Sequence, residues 1–238
     1  MRANIILLAL GALLVATQAS AYDANDPANC VGADWDEAHP LAVARVTAKP
    51  RVNFVKSPYD DDFKADTCPA ATEACRKKSY LVTGDLVLAA RTRDGFTCVA
   101  FPSPAGKKPI WTNGWLPSSA LTPVAPMAQP SLSEWLGTWD QPHAGIEIKQ
   151  GGIGGRLHIE GIAAFQGARD VHTGDIDAQV MPDGDTIAFL DDGWLPFATK
   201  CDSGCRVRMH RVGRWLLVED NGDCGGAGVT FTGLYHRK

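Results

Sequence analysis

The sequence predicts an all-β protein of two domains, an N-terminal small barrel and a C-terminal antiparallel β-barrel or sandwich. Three observations carry that expectation. From Cys205 to Lys238 the chain breaks into short runs of alternating apolar and polar residues separated by turn residues, the period of strands. From Leu41 to Val124 it is again made of short apolar runs cut by Gly, Pro and Asp, the pieces from which small barrels are built. Between the two, Pro117, Pro123, Pro126 and Pro130 fall within fourteen residues, a stiff connector poor in backbone donors.

Residues 1–21 have the pattern of a secretory signal peptide. Arg2 is the sole charge before Asp23, Ile5 to Val15 form an apolar run, and Ala19-Ser20-Ala21 suits a small-residue cleavage site. That run is too short to span a bilayer. No second run approaches membrane length, so no membrane span is expected. Residues 22–40 form an N-terminal segment, and the mature chain is expected in the periplasm or secreted beyond it.

The seven cysteines of an exported chain favour disulfides over metal. An odd number leaves at least one outside an internal pair. Charge is unevenly divided: twelve acidic and twelve basic residues over 22–125, but fifteen acidic and ten basic over 126–238. The mildly acidic second half argues against nucleic acid as a partner.

In the first domain (41–124), Val43 to Val46, Val52 to Val55, Leu86 to Ala89 and Phe96 to Phe101 are the clearest strand runs, with turns at Lys49-Pro50, Thr83-Gly84-Asp85 and Arg93-Asp94-Gly95. Three strings stand out: Tyr80-Leu81-Val82-Thr83-Gly84-Asp85-Leu86-Val87, Asp94-Gly95-Phe96-Thr97-Cys98-Val99, and Gly114-Trp115-Leu116-Pro117 followed by Leu121. In this order they resemble a bacterial SH3-like domain. The resemblance implies a small barrel in which Gly84-Asp85 turns into a central strand and Gly114-Trp115-Leu116 heads the last one. Ser57 to Lys78 departs from the lean pattern as a long charged insertion. Cys30, Cys68, Cys75 and Cys98 allow three pairings; Cys68 with Cys75 would pin the insertion on itself, and Cys98 could staple Cys30. Trp111 and Trp115 are either barrel packing or an aromatic platform for a sugar, peptide or wall stem.

Residues 125–134 are the linker, and Ser131 or Ser133 suits the cap of a short helical turn over Leu132 to Leu136. In the second domain (135–238), Ile146 to Ile148, Leu157 to Ile162, Val171 to Val180 and Thr186 to Leu190 lead into the C-terminal meander. The count is seven or eight strands, fit for a closed antiparallel barrel or a sandwich. The meander is expected as Val207 to Arg211, Trp215 to Asp220 and Val229 to Leu234, with a turn at Asn221-Gly222-Asp223. A hairpin folded at Gly213 brings Cys205 near Cys224, with Cys201–Cys205 as the rival pair. The strings Cys205-Arg206-Val207, Val218-Glu219-Asp220-Asn221 and Cys224-Gly225-Gly226-Ala227-Gly228-Val229, with Gly233-Leu234-Tyr235, are similar to the second domain of uncharacterised exported proteobacterial proteins.

Several constellations bear on chemistry. Gly151 to Gly155 lacks the Lys-Ser/Thr of a phosphate loop and precedes a strand, so it is a hairpin turn. Between Asp170 and Thr199 there are seven Asp and no Lys or Arg. Asp183, Asp185, Asp191 and Asp192 are the candidates there for a negative surface that steers a basic protein. They lack the spacing of a calcium loop. Arg206 and Arg208 share one strand face with His210, either as a wet face or as contacts to an anionic wall polymer or partner. Cys201, Cys205, His210 and Cys224 are irregularly spaced for zinc, so no metal and no cofactor is expected. The six histidines are scattered, with no Gly-x-Ser-x-Gly and no His-Glu-x-x-His, so no catalytic residue is assigned.

The expected function is therefore that of an exported, non-catalytic binding protein of the cell envelope, recognising a protein, such as a basic cell-wall hydrolase, or peptidoglycan. An inhibitor or immunity protein against a lysozyme-like enzyme is the alternative. A wall hydrolase with an SH3-like targeting domain comes third.

Overall fold

The computed structural model describes residue 26 and residues 28–32, 40–63, 65, 67–103, 110–152, 154–200 and 203–238. The signal-peptide reading of residues 1–21, most of the 22–40 segment, and Cys201 lie outside the described residues. The protein is all-β, in two antiparallel sheets. Among the described residues the first sheet holds β1 Ala42–Val46, β2 Arg51–Val55, β3 Arg76–Val82, β4 Leu86–Arg93, β5 Phe96–Ser103, β6 Ile110–Pro117 and β7 Leu121–Val124. Their order is β3-β2-β6-β5-β4-β1-β7. The second holds β8 Gly137–Gln141, β9 Ala144–Gln150, β10 Leu157–Gln166, β11 Val171–Val180, β12 Thr186–Leu190, β13 Arg206–Val212, β14 Trp215–Asp220 and β15 Gly233–Arg237. Its order is β11-β10-β9-β8-β15-β14-β13-β12. Two four-residue helices, α1 Asp60–Phe63 and α2 Leu132–Trp135, accompany them.

The second sheet is a nearly closed barrel, and side-chain alternation explains its inside. Val207 and Met209 on β13 and Leu216 and Val218 on β14 point inward to Trp139, Ile146, Ile159, Phe189, Phe231 and Tyr235, all buried. The Tyr235 hydroxyl donates to the Phe231 carbonyl at 2.8 Å and accepts from Gln141 Nε2 at 3.1 Å. The ends of the sheet meet through loops. The Gln179 N–H donates to the Asp192 carbonyl, and the Gly226 N–H to that of Thr173, both at 3.1 Å. Gly174 on β11 is obligatory at this seam, because a Cβ there would lie 2.1 Å from the Cys224 carbonyl oxygen.

One strand of the meander is not where the alternation predicts it. Residues 229–232 leave the ladder, and β15 pairs with β14 only from Gly233. The Asp220 carboxylate takes over: its Oδ1 accepts the N–H groups of Phe231 at 3.1 Å and Thr232 at 2.9 Å and the Thr232 hydroxyl at 2.7 Å. A buried carboxylate with this many donors substitutes for a strand partner.

Three disulfides close the chain on itself: Cys30–Cys98, Cys68–Cys75 and Cys205–Cys224. Such a set is the mark of an oxidising, extracytoplasmic compartment. Cys205–Cys224 also consumes two sulfurs of the zinc constellation weighed above. No helix among the described residues is long and apolar enough to cross a membrane.

The two sheets share an apolar seam. On β13 and β14 the outward residues include Arg208, His210, Val212, Leu217 and Glu219. Val212 and Leu217 pack in one buried cluster with Leu41, Val43, Leu88 and Ala100 of the first sheet. Within the seam Glu219 is fully buried and Arg208 is 8% exposed. Arg208 Nε donates to Glu219 Oε2 at 3.0 Å and Nη2 to Oε1 at 3.2 Å, while Oε1 also accepts the Leu41 N–H at 2.8 Å. This is a correction to the wet-face and wall-contact readings of Arg208. The alternation is as expected, but the face is covered by the other domain.

Candidate functional site

The sequence-predicted site residues do not converge on one place. Trp115 is fully buried, with its indole N–H 3.3 Å from the Ala28 carbonyl, so it packs the first domain and offers no face to a ligand. Trp111 is half-buried and packs against the seam. The four aspartates fall into two pairs at opposite ends of β12. Asp183 and Asp185 belong to the β11–β12 turn, closed by reciprocal backbone bonds between Asp183 and Thr186. Asp191 and Asp192 follow Leu190 at the other end, beyond a strand about 13 Å long at ~3.3 Å per residue. They do not make one acidic face.

Asp191 and Asp192 instead build a loop. Asp191 exchanges two bonds with Cys205: its N–H donates to the Cys205 carbonyl at 2.7 Å, and its Oδ1 accepts the Cys205 N–H at 2.8 Å. Asp192 Oδ1 accepts the Trp194 N–H at 3.1 Å. Gly193, at φ +81°, packs its Cα against the backbone of Gln179, where a Cβ would lie 2.9 Å from the carbonyl oxygen. Farther along, the Arg206 guanidinium donates to the carbonyls of Phe197 and Thr199 and lies over the Phe197 ring. Arg206 is thus a brace for the loop, which corrects its reading as a free cationic contact.

The braced loop leaves its largest side chains in solvent. Trp194 is 69% exposed and Leu195 is 50% exposed. Sequence reasoning passed over Trp194. The signal was there: a Trp in Asp191-Asp192-Gly193-Trp194-Leu195-Pro196 lies in a turn-rich stretch with no alternation to draw it inward. An indole held out on a hydrogen-bonded backbone is the geometry of an interface anchor, since little ordering entropy is left to lose on binding.

His210, between Arg208 and Val212 on the outward face, is half-covered, with Nδ1 3.3 Å from Thr186 Oγ1. Burial holds its pKa below the ordinary histidine value; nearby Asp185 opposes the shift and Arg208 adds to it. The imidazole is therefore kept neutral in the fold where the unfolded chain would take up a proton. Its stabilising contribution is present above about pH 6.5 and is lost as pH falls through the lower folded pKa. Urea midpoints measured between pH 7.5 and 5 should fall more steeply for the native chain than for His210→Gln. Parallel curves would remove the histidine from the account.

Among the described residues one group has atoms close enough for a metal ion: His158, Glu160 and Asp177, on the outer face of β10 and β11, with ligand atoms within 4.8 Å of one another. Lys149 Nζ lies 3.0 Å from Glu160 and 2.9 Å from Glu147, and His158 Nε2 is 2.8 Å from Asp177.

In comparisons with family models, curated proteins and solved structures, nothing matches this chain.

Proposed function

We propose that this chain is an exported, non-catalytic binding protein of the cell envelope that recognises a protein partner through the loop at residues 191–199. The observation that carries the reading is Trp194, 69% exposed on a loop braced by Asp191, Asp192 and Arg206. Large exposed apolar side chains on ordered loops are anchors that fill a partner's pocket. Asp191 and Asp192 at its base complement a cationic rim around that pocket. In this reading residues 1–21 are the export signal, and the SH3-like first domain is the body against which the barrel is fixed.

Inhibition of a peptidoglycan-degrading enzyme is the more specific form of the reading. It is favoured by the shape of the loop, since a rigid backbone carrying one projecting aromatic suits entry into an enzyme cleft. The test is a titration of the mature protein against purified basic lysozyme-type enzymes, with binding and lytic activity read together. Trp194→Ala should weaken binding by about 2 kcal/mol or more, roughly thirtyfold, with the fold intact. Retention on purified sacculi that is indifferent to Trp194→Ala, with no enzyme bound, would replace the protein partner with the wall itself.

A further inference from the structure

The seam between the two sheets does not close at one end. There it opens into a cleft of about 750 Å³. Leu86, Val124, Val212 and Leu234 belong to both the buried seam and the cleft lining, so among the described residues the apolar surface that joins the domains continues into the cleft. Phe101 and Trp215 extend it. A cleft of this size between domains, apolar within, has the dimensions of a small-molecule site.

Its polar groups are few and mostly of one sign. Arg45, Arg214 and His236 line it, with Asp85. Arg45 donates to the Gly84 carbonyl at 3.2 Å, and Arg214 lies 4.9 Å from the centre of the Trp215 ring. Neither guanidinium has a carboxylate partner among the described residues. The Asp85 carboxylate is turned to the Val82 N–H at 2.8 Å. Two guanidinium charges against one carboxylate leave the rim positive. Guanidinium groups beside an apolar wall match the planar, two-oxygen geometry of a carboxylate. Asp85 weighs against a doubly charged phosphate monoester.

We infer that the interdomain cleft binds a small amphiphilic monocarboxylate. Its apolar chain lies along Leu86, Val124, Val212 and Leu234, and its carboxylate meets Arg45 and Arg214 at the mouth. This site is independent of the Trp194 loop, because the cleft lies at the Gly213 end of the β13–β14 hairpin and the loop is fixed at the Cys205 end.

The test uses the full disulfide-bonded protein, titrated calorimetrically with decanoate below its micellar concentration. Octyl phosphate and decyltrimethylammonium serve as the dianionic and cationic counterparts. Saturable one-to-one binding of decanoate is expected. It should weaken at least tenfold in Arg45→Glu/Arg214→Glu at unchanged melting temperature, and stay unchanged in Trp194→Ala. If the double reversal fails to fold, Arg214→Gln alone should give a smaller loss of the same sign. Absence of saturable heat, equal binding of the alkylammonium ion, or decanoate affinity indifferent to both arginines would each overturn the proposal. Tighter binding of octyl phosphate would overturn the monocarboxylate assignment.

Discussion

Replacing Glu219 with alanine should lower stability by about 3–5 kcal/mol, because it takes from the buried Arg208 guanidinium the carboxylate that it grips with two hydrogen bonds in an apolar seam. The Leu41 N–H loses its acceptor in the same variant, and an unsatisfied buried donor adds to the loss. Arg208→Met should be similarly damaging, since it strands the carboxylate. Substituting both residues with methionine should recover most of the loss, because Val212, Leu217, Leu88 and Ala100 already make the surroundings apolar and a packed apolar pair avoids the desolvation cost. Chemical denaturation of the two single variants and the double variant gives the cycle. Hydrogen exchange at β1 adds a local reading, since the Leu41 bond leads into that strand. Single-variant losses below about 1 kcal/mol, the size of an exposed pair, would mean that the ion pair is solvated and that the seam does not hold the domains.

Removing the Cys30–Cys98 bond by alanine substitution should cost roughly 4 kcal/mol, more than removal of either other disulfide. The bond joins residues 68 apart in sequence, against 19 for Cys205–Cys224 and 7 for Cys68–Cys75. Loop-closure entropy then ranks them at roughly 4, 3 and 2.5 kcal/mol. The native contacts point the same way. Cys30 holds the 28–32 segment against the first domain, where Ala28 accepts the Trp115 indole N–H and Val31 the Asn113 amide at 2.8 Å. Gly32 sits where a Cβ would lie 2.6 Å from Asn113. Without the bond, the cover over Trp115, Cys75 and Phe96 loses its one covalent fastening among the described residues and is left to hydrogen bonds and packing. Denaturant midpoints of the three double variants under non-reducing conditions test the order. A Cys68–Cys75 variant as damaged as the Cys30–Cys98 variant would show that strain or denatured-state structure outweighs loop entropy.

Strand existence was legible in the sequence, because period-two alternation and turn residues act locally. β4, β5, β13 and β14 fall within a few residues of their apolar runs, and Gly213 turns the hairpin as expected. The short helix over Leu132 to Trp135 follows the same logic: the Glu134 carboxylate accepts the Ser131 N–H at 2.6 Å, three residues back. Where β15 begins was not legible. Asp220 competes for the backbone donors of residues 231 and 232, and alternation carries no record of that competition.

Two identical tetrapeptides mark the division. Gly-Trp-Leu-Pro occurs at 114–117 and again at 193–196. Trp115 is fully buried on β6, and Trp194 is 69% exposed on a loop. Arg206 and Arg208, two residues apart on one face, diverge in the same way: one braces a loop, the other is an ion-paired group under the neighbouring domain. The sequence alone determined the β class, the strand runs, the Pro-rich break and the wealth of cysteines, since each rests on neighbours within a few residues. Only the tertiary structure decided which tryptophan meets solvent, which charges are buried and where the seam stays open. Burial depends on what another part of the chain, often more than a hundred residues away, lays across the face.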